Sequence, residues 1–541
     1  MSFRDLQMKI GELISSRTAT VADYLKISKE IVPAGEFPFY FRQIKAAFLS
    51  SYTIQGLPEV FQVRGVFHNL KISTYTAPYA QISQEILNQA SELYKFNPDI
   101  VYILAEQKDF LGDGHLAQLV ETLKEKTEAE VILVLAGGEN RGRERLHIFD
   151  FESFLDKIGR AGNWYTKFKD LGDLRLAPQA FPVLAESLLA YAVASAGNNK
   201  KCLVVDLDNT LWTGVAGEDG PRKVVPNQKL QEHLLGLYKR GVVLAINSKN
   251  NPEDAFEVID NHPEMILRRD HFAAWRINWN NKDSNLIELS EEMSLGTASF
   301  AFIDDDPLNL GLVRSNLPEV AVMHPDSVFD YVGFHSFNLT REDVRRGEMY
   351  VEERRRKELK QAVPDQEDFL RKLNMEVSIS PVSDSNLGRA SQLTQKTNQF
   401  NLTTRRYSES EIRKFLETGW KIWSLQVKDV FGDYGIVGLA MFDSAKGHLD
   451  NFMLSCRVLG RGVETALLAQ VLTEAQKSDL KVVSAEFIRT KKNLPAETFL
   501  AQSGFELVGK DATRESYEYD LSKKCIVPNY VRVTVSESED L

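Results

Sequence analysis

The sequence predicts a multidomain α/β protein, and three observations predict it. At 541 residues the chain exceeds what one hydrophobic core supports and points to three or four domains. Up to about residue 330, short apolar runs alternate with helical patterns, as in parallel sheets covered on both faces. Beyond residue 365, strand patterns gather around long helices, as in an α+β unit.

Residues 1–197 read as a first α/β domain. Ile100–Leu104 and Val131–Leu135 are continuous apolar runs of buried-strand length. QEILNQASELYKF and HLAQLVETLKEKTEA supply helices between them, and PVLAESLLAYAVASAG ends in the helix stop Gly197-Asn198-Asn199. Residues 198–340 alternate again: strands CLVVDL, VVLAINS, SFAFIDD and EVAVMH, with helices such as NQKLQEHLLGLYKRG and PEDAFEVIDNH, which predicts a doubly wound parallel sheet. Residues 341–364 are dense in mixed charge and read as a solvated connecting helix. Residues 365–525 mix helices with the strands EVSISPV, KIWSLQVKD, GIVGLAMFD, HLDNFMLS and KVVSAEFI. Residues 526–541 read as a C-terminal tail.

Composition narrows the function classes. At 43% hydrophobic and 26% charged residues the chain is that of a folded protein. It has no run of eighteen apolar residues, so no membrane span is expected. The opening MSFRDLQMKIGELISSR is a polar amphipathic helix rather than a secretory leader. Cys202, Cys456 and Cys525 are odd in number and far apart, which predicts a reducing, cytoplasmic setting. The net charge of −11 gives no general attraction for nucleic acid, and neither nucleic acid nor membrane is expected as a partner.

KCLVVDLDNTLWTGVAGEDG carries the chemistry. An apolar strand running into D-x-D-N-T puts Asp206 and Asp208 at the carboxyl end of a parallel strand, where open α/β sheets place their sites. Two such carboxylates repel unless a cation holds them, and hard oxygen ligands suit Mg²⁺. One can attack a phosphoryl group; the other can move a proton. Later strands end with the missing partners: Ser248 in AINSKN, Lys282 in NWNNKD, and Asp304 and Asp305 in FIDDDP. Thr210 and Lys249, beside these motifs, are expected substrate contacts.

With these motifs the chain resembles the haloacid-dehalogenase-like (HAD) phosphatase superfamily, and more narrowly its FkbH-like group, whose hallmark is close to DLDNTLWTGVAGEDG; NSKNNPEDA, RINWNNK and FIDDDP are also similar. The resemblance implies Asp206 as nucleophile, Asp208 as acid and base, Ser248 and Lys282 as phosphoryl holders, and Asp206, Asp208, Asp304 and Asp305 as the Mg²⁺ set.

In the third domain, SCRVLGRGVETALL fits R-x-x-G-x-G ahead of a helix, with Arg457, Gly460, Arg461 and Gly462 able to cradle a pyrophosphate. This resembles the coenzyme A loop of GNAT-type acetyltransferases. Cys456 beside it is expected to have an acidified thiol, and the resemblance to FkbH-like proteins implies that it carries an acyl thioester; an inert thiol is the competing reading. TQKTNQFNLTTRRY resembles another FkbH-like signature, which makes Asn398, Gln399 and Asn401 expected substrate or pantetheine contacts, against turn chemistry alone. Asp433 fits a tight turn or an acid/base role, His448 a structural one, and Cys202 the core.

The first domain resembles the SGNH-hydrolase-like domain that precedes FkbH-like phosphatase modules. It has Ser50-Ser51-Tyr52-Thr53 in place of Gly-Asp-Ser and lacks a D-x-x-H before residue 195, so a degenerate binding or assembly domain is expected. Together the resemblances imply an enzyme, a glyceryl transferase that takes 1,3-bisphosphoglycerate, removes phosphate in a Mg²⁺ site and loads the glyceryl unit as a thioester on an acyl carrier protein in polyketide-type biosynthesis. The competing expectations are a phosphatase fused to an acyl-coenzyme A-dependent acyltransferase of sugars or surface polymers, and a scaffold that has lost turnover.

Overall fold

The apolar runs at 100–104 and 131–135 become the interior of a parallel sheet in the computed structural model, which describes residues 3–16, 18–31, 37–106, 109–110, 113–135, 144–165, 172–337, 339 and 341–536. Its strands are β1 (Arg42–Ser50), β2 (Leu70–Thr76), β3 (Ile100–Leu104), β4 (Glu130–Leu135) and β5 (Leu146–Asp150), in the order β2-β1-β3-β4-β5. All are parallel. Every residue of β3 is buried because alternate side chains enter two different cores: Ile100, Tyr102 and Leu104 one, Val101 and Ile103 the other. The helix expected over QEILNQASELYKF is two helices, Ile82–Leu87 and Glu92–Phe96. The chain breaks at Asn88, whose side-chain oxygen takes the N–H of Ala90.

A second parallel sheet follows. Its strands are β6 (Cys202–Val205), β9 (Val243–Ser248), β10 (Phe272–Ile277), β11 (Phe300–Ile303) and β12 (Ala321–Met323), ordered β10-β9-β6-β11-β12. A small hairpin, β7 (Trp212–Thr213) with β8 (Val225–Pro226), lies in the connection after β6. Cys202 and Val204 face one core while Leu203 and Val205 face the other. Cys202 is therefore a core residue, with its thiol pKa pushed up by burial. Strand order reverses between β6 and β11, with β9 and β10 added on one side and β11 and β12 on the other, so the switch-point crevice opens beyond their carboxyl ends.

Both sheets belong to one compact unit, Met1–Val351; Glu352–Leu541 forms the other. The second unit holds a mixed sheet built from β13 (Met375–Pro381), β14 (Phe400–Asn401), β15 (Lys421–Lys428), β16 (Asp433–Asp443), β17 (His448–Leu454), β18 (Val482–Ile488), β19 (Glu506–Lys510), β20 (Arg514–Asp520) and β21 (Val531–Val535). The order is β19-β20-β18-β17-β16-β15-β13-β21, with β14 against β17. Neighbours are antiparallel except β17/β18 and β13/β21.

Two expectations are corrected. The 526–541 segment is not simply a tail, because Val531–Val535 pairs with β13 over five residues. The charged stretch forms the helix Arg346–Ala362, yet it is not a wholly solvated helix. Arg354 and Arg356 are buried, and Arg356 grips Asp429 through two hydrogen bonds of 2.7 and 3.0 Å. A planar guanidinium retains its charge inside a protein when a carboxylate meets it in this paired way.

Among the described residues, no helix is long and apolar enough to cross a membrane.

Candidate active site

Asp206 leaves β6 at the switch point, and Asp304 and Asp305 leave the adjacent β11. Lys282 opens the helix Lys282–Met293 that follows β10, and its long side chain reaches inward. Its ammonium donates to Asp206 Oδ1 at 2.6 Å and to the carbonyl of Asn247 at 2.6 Å, and it forms an ion pair with Asp304 Oδ2 at 3.1 Å. Lys282 is 1% exposed and Asp304 0%. Ser248, at the end of β9, is equally buried, and its hydroxyl helps hold down the pKa of the Asp206 carboxyl. Thr210 Oγ1 donates to Asp305 at 3.4 Å. Thus Asp206, Thr210, Ser248, Lys282, Asp304 and Asp305 converge. Lys249 is exposed and donates to Asn309 at 3.3 Å, and Asn309 in turn contacts Asp304.

Burial drives the Asp206 pKa upward; the charge of Asp304 adds to the rise and Lys282 opposes it. Asp305 is raised by burial and then by Asp304. One oxygen from each of Asp206, Asp304 and Asp305 lies within 4.8 Å of the others. Three carboxylates against one ammonium leave an excess of negative charge in a buried place. An all-oxygen donor set with that excess fits Mg²⁺. The cation would neutralise it and draw charge from a bound phosphoryl group.

Asp208 departs from the expected metal set. Its Oδ1 accepts the Trp212 indole N–H at 2.8 Å and the Ala216 N–H at 3.0 Å, and its Oδ2 accepts the Asn250 amide at 2.9 Å. With both oxygens engaged in that direction, Asp208 stands outside the three-aspartate cluster and is not a side-chain metal ligand here. Burial raises its pKa, and the Ala216 and Trp212 donors oppose the rise. A carboxyl so held suits proton transfer better than metal binding.

Several supporting residues escaped the sequence reading. Asn250 and Trp212 fix Asp208. Buried Asn285 donates to Asn247 and Asn278, and Asn247 holds the Lys282 carbonyl, so a ladder of amides sets the entry to the lysine helix. The density of asparagine in NSKNN and NWNN was the available signal.

In the second unit, Cys456 is exposed on a short turn after β17. The two arginines expected beside its thiol have other partners. Arg461 bonds the Tyr434 hydroxyl and lies 3.9 Å from Asp429 and 3.8 Å from Glu353; Arg457 donates to the Ser455 hydroxyl at 3.3 Å. Gly460 is exposed, and Gly462 caps the helix Val463–Lys477. Asn398 accepts from Arg406 at 2.7 Å, and Gln399 is exposed. Asn401 is fully buried; it donates to the Thr397 carbonyl and accepts from Thr404 N–H, which makes it a structural residue rather than the expected ligand contact. Asp433 accepts Gly435 N–H at 2.8 Å, in keeping with a tight turn, and His448 bonds Ser484 at 2.9 Å.

Buried Asn493 donates to the carbonyls of Asn401 and Ile488. Asn493→Ala should therefore lower the stability of this unit by about 2 kcal/mol or more, since both carbonyls lose a partner. Urea unfolding checks this; an unchanged midpoint would mean that the carbonyls find other donors.

At the first sheet, Ser50 Oγ donates to backbone carbonyls of Tyr52 and Leu104. Ser51 Oγ donates to Asp109 at 2.5 Å, and Asp109 pairs with Arg175, which also grips Asp173 and Glu106. The group lined up behind Asp109 is a guanidinium, which cannot accept a proton. Thr53 donates to the Gly172 carbonyl, and Tyr52 is buried.

No family model and no curated protein matches the chain. Among solved structures, the N-terminal part of BF1531 from Bacteroides fragilis, which contains a phosphatase domain complexed with Mg, is 24% identical. It covers 60% of this chain and 98% of its own, at a TM-score of 0.48. A GNAT-family protein from Desulfovibrio desulfuricans is 15% identical over 27% of this chain and 99% of its own, at 0.22. The ribosomal-protein-S18-alanine N-acetyltransferase from Escherichia coli is 13% identical over 30% and 98%, also at 0.22. Likenesses this distant leave the chemistry to be read from the side chains above.

Proposed function

We propose that this chain is an FkbH-like glyceryl transferase: an enzyme joining a Mg²⁺-dependent HAD-type phosphatase site to a GNAT-like acyl-transfer unit. The observation that carries the phosphatase half is the buried set of Asp206, Lys282 and Asp304, with Asp208 held apart by its own donors. A purely structural acidic turn has no need of a lysine buried between two carboxylates. The same set weighs against a scaffold without turnover.

1,3-Bisphosphoglycerate carries two different phosphates, and chemistry assigns them to different groups. Attack on the phosphorus of its acyl phosphate would release a free carboxylate and lose the activation. The acyl carbon is instead the target of a thiolate, that of Cys456: a carbon–sulfur bond forms, the carbon–oxygen bond to phosphate breaks, and inorganic phosphate leaves. The carrier protein's phosphopantetheine thiolate then takes the acyl group and frees Cys456 as thiolate.

The remaining phosphate is an ordinary monoester and suits the first unit. An Asp206 oxygen attacks phosphorus, the phosphorus–oxygen bond to the alcohol breaks, and Asp208 gives its proton to the departing oxygen. Water then cleaves the aspartyl-phosphate while Asp208 takes a proton back. Lys282, Ser248 and Thr210 orient the phosphoryl oxygens. Mg²⁺ held by Asp206, Asp304 and Asp305 would supply charge neutralisation.

Intact-protein mass after mixing with Mg²⁺ and enzymatically generated 1,3-bisphosphoglycerate tests this, beside Cys456→Ala. We expect a glyceryl or phosphoglyceryl adduct on the wild type that the variant lacks. An adduct on both would move the acyl site away from Cys456. Phosphate release with no adduct on either would reduce the chain to a phosphatase with another acyl donor.

A further inference from the structure

β17 and β18 run parallel but pair only at His448↔Ser484 and Leu449↔Ala485. Diverging parallel strands turn N–H and C=O edges toward each other, and an extended ligand bearing amides can bridge them as an added strand. The pantetheine arm of coenzyme A has that chemistry. In this chain the opening is already bridged. Phe400 and Asn401 pair with Leu454 and Met453 of β17. Leu402 reaches across: its N–H donates to the Phe452 carbonyl of β17 at 3.1 Å, and its carbonyl accepts the Ile488 N–H of β18 at 2.9 Å.

The bridging segment is braced throughout. Asn401 and Leu402 are 0% exposed. The Phe400 ring packs against Phe499 at 5.2 Å, Asn493 ties Asn401 to Ile488, and the Thr403 hydroxyl donates to the Asp450 carbonyl at 3.2 Å. Nothing in this set resembles a loosely laid loop.

The glycine turn is closed in the same manner. Gly462 has φ +80°, and a Cβ there would come within 2.9 Å of Pro528 and 3.2 Å of the Tyr530 hydroxyl. The C-terminal segment thus lies against the turn, and Arg461 points to Tyr434.

We infer that the second unit is closed to coenzyme A by its own chain, with Phe400–Leu402 in place of the pantetheine arm and the segment of Pro528 and Tyr530 packed on the glycine turn. The inference rests on the proposed acyl-transfer function and narrows it. The acyl donor is an acyl phosphate rather than an acyl-coenzyme A, and a carrier thiol meets the acyl group at exposed Cys456, outside the filled slot.

Full-length protein is titrated with coenzyme A and with acetyl-coenzyme A, followed by calorimetry, thermal unfolding and hydrogen exchange of peptides spanning 400–404 and 486–489. We expect no heat of binding, no shift in Tm, and slow exchange in both peptides that coenzyme A leaves unchanged. A ligand at about a hundred times its Kd would raise Tm by roughly 5 °C or more. Such a shift overturns the inference, and so does fast exchange in the free protein that slows on adding coenzyme A. Phosphate release from p-nitrophenyl phosphate, a monoester with no acyl carbon for Cys456, scores the phosphatase half separately, since exchange at Leu402 and Ile488 does not depend on turnover.

Discussion

Asp206→Asn is expected to reduce Mg²⁺-dependent phosphate release by about 10⁴-fold or more while leaving the fold intact. The amide keeps the size of the carboxylate and an oxygen able to accept from Lys282, so packing around this buried position is preserved. What it loses is the nucleophilic oxygen pair. Release of phosphate from p-nitrophenyl phosphate, with thermal unfolding run in parallel, separates chemistry from folding. Near-normal turnover in a folded variant would remove Asp206 from the role of nucleophile.

Lys282→Met should have the largest effect on stability. The wild-type ammonium bonds Asp206 and Asp304, both buried, and the thioether leaves these carboxylates facing each other without a cation. Breaking a buried ion pair from one side costs about 3–5 kcal/mol. That loss should appear in EDTA and shrink when Mg²⁺ is added, because a cation that binds only the folded state stabilises it. Urea unfolding in both buffers checks the pair of statements. Equal midpoints for variant and wild type in EDTA would mean that the two aspartates do not depend on Lys282 for their burial.

Much of the second sheet and its site could be read directly. Asp206, Ser248, Asp304 and Asp305 each follow or flank an apolar run, and the switch point of a doubly wound sheet brings such positions together; Lys282 was legible only through the motif NWNNKD. Asp208 was misassigned as a metal ligand because spacing along a strand end says nothing about where the side chain turns. Its direction is set by Asn250, which lies 42 residues away. β10 was missed because FAAWRI mixes small residues with an arginine that reaches Glu288 and Glu292 outside the core. β21 was missed because VRVTV lies at a sheet edge, where pairing partner outweighs local preference. The signature around Phe400 looked like a ligand loop since its polar side chains are plentiful. In the fold they hold a strand in a gap that only tertiary structure creates.

The pairing of β13 with β21 has a consequence for how the protein is made. These strands sit at opposite ends of the second unit, and Arg532 meets Glu376 across 156 positions of sequence. At ordinary elongation rates the ribosome needs roughly 8–30 s to supply β21 after β13 has emerged. The parallel sheets of the first unit have their strands complete by then, whereas one edge of β13 waits bare. Newly made chains should accordingly be most prone to mispairing, and most in need of chaperone cover, during that interval.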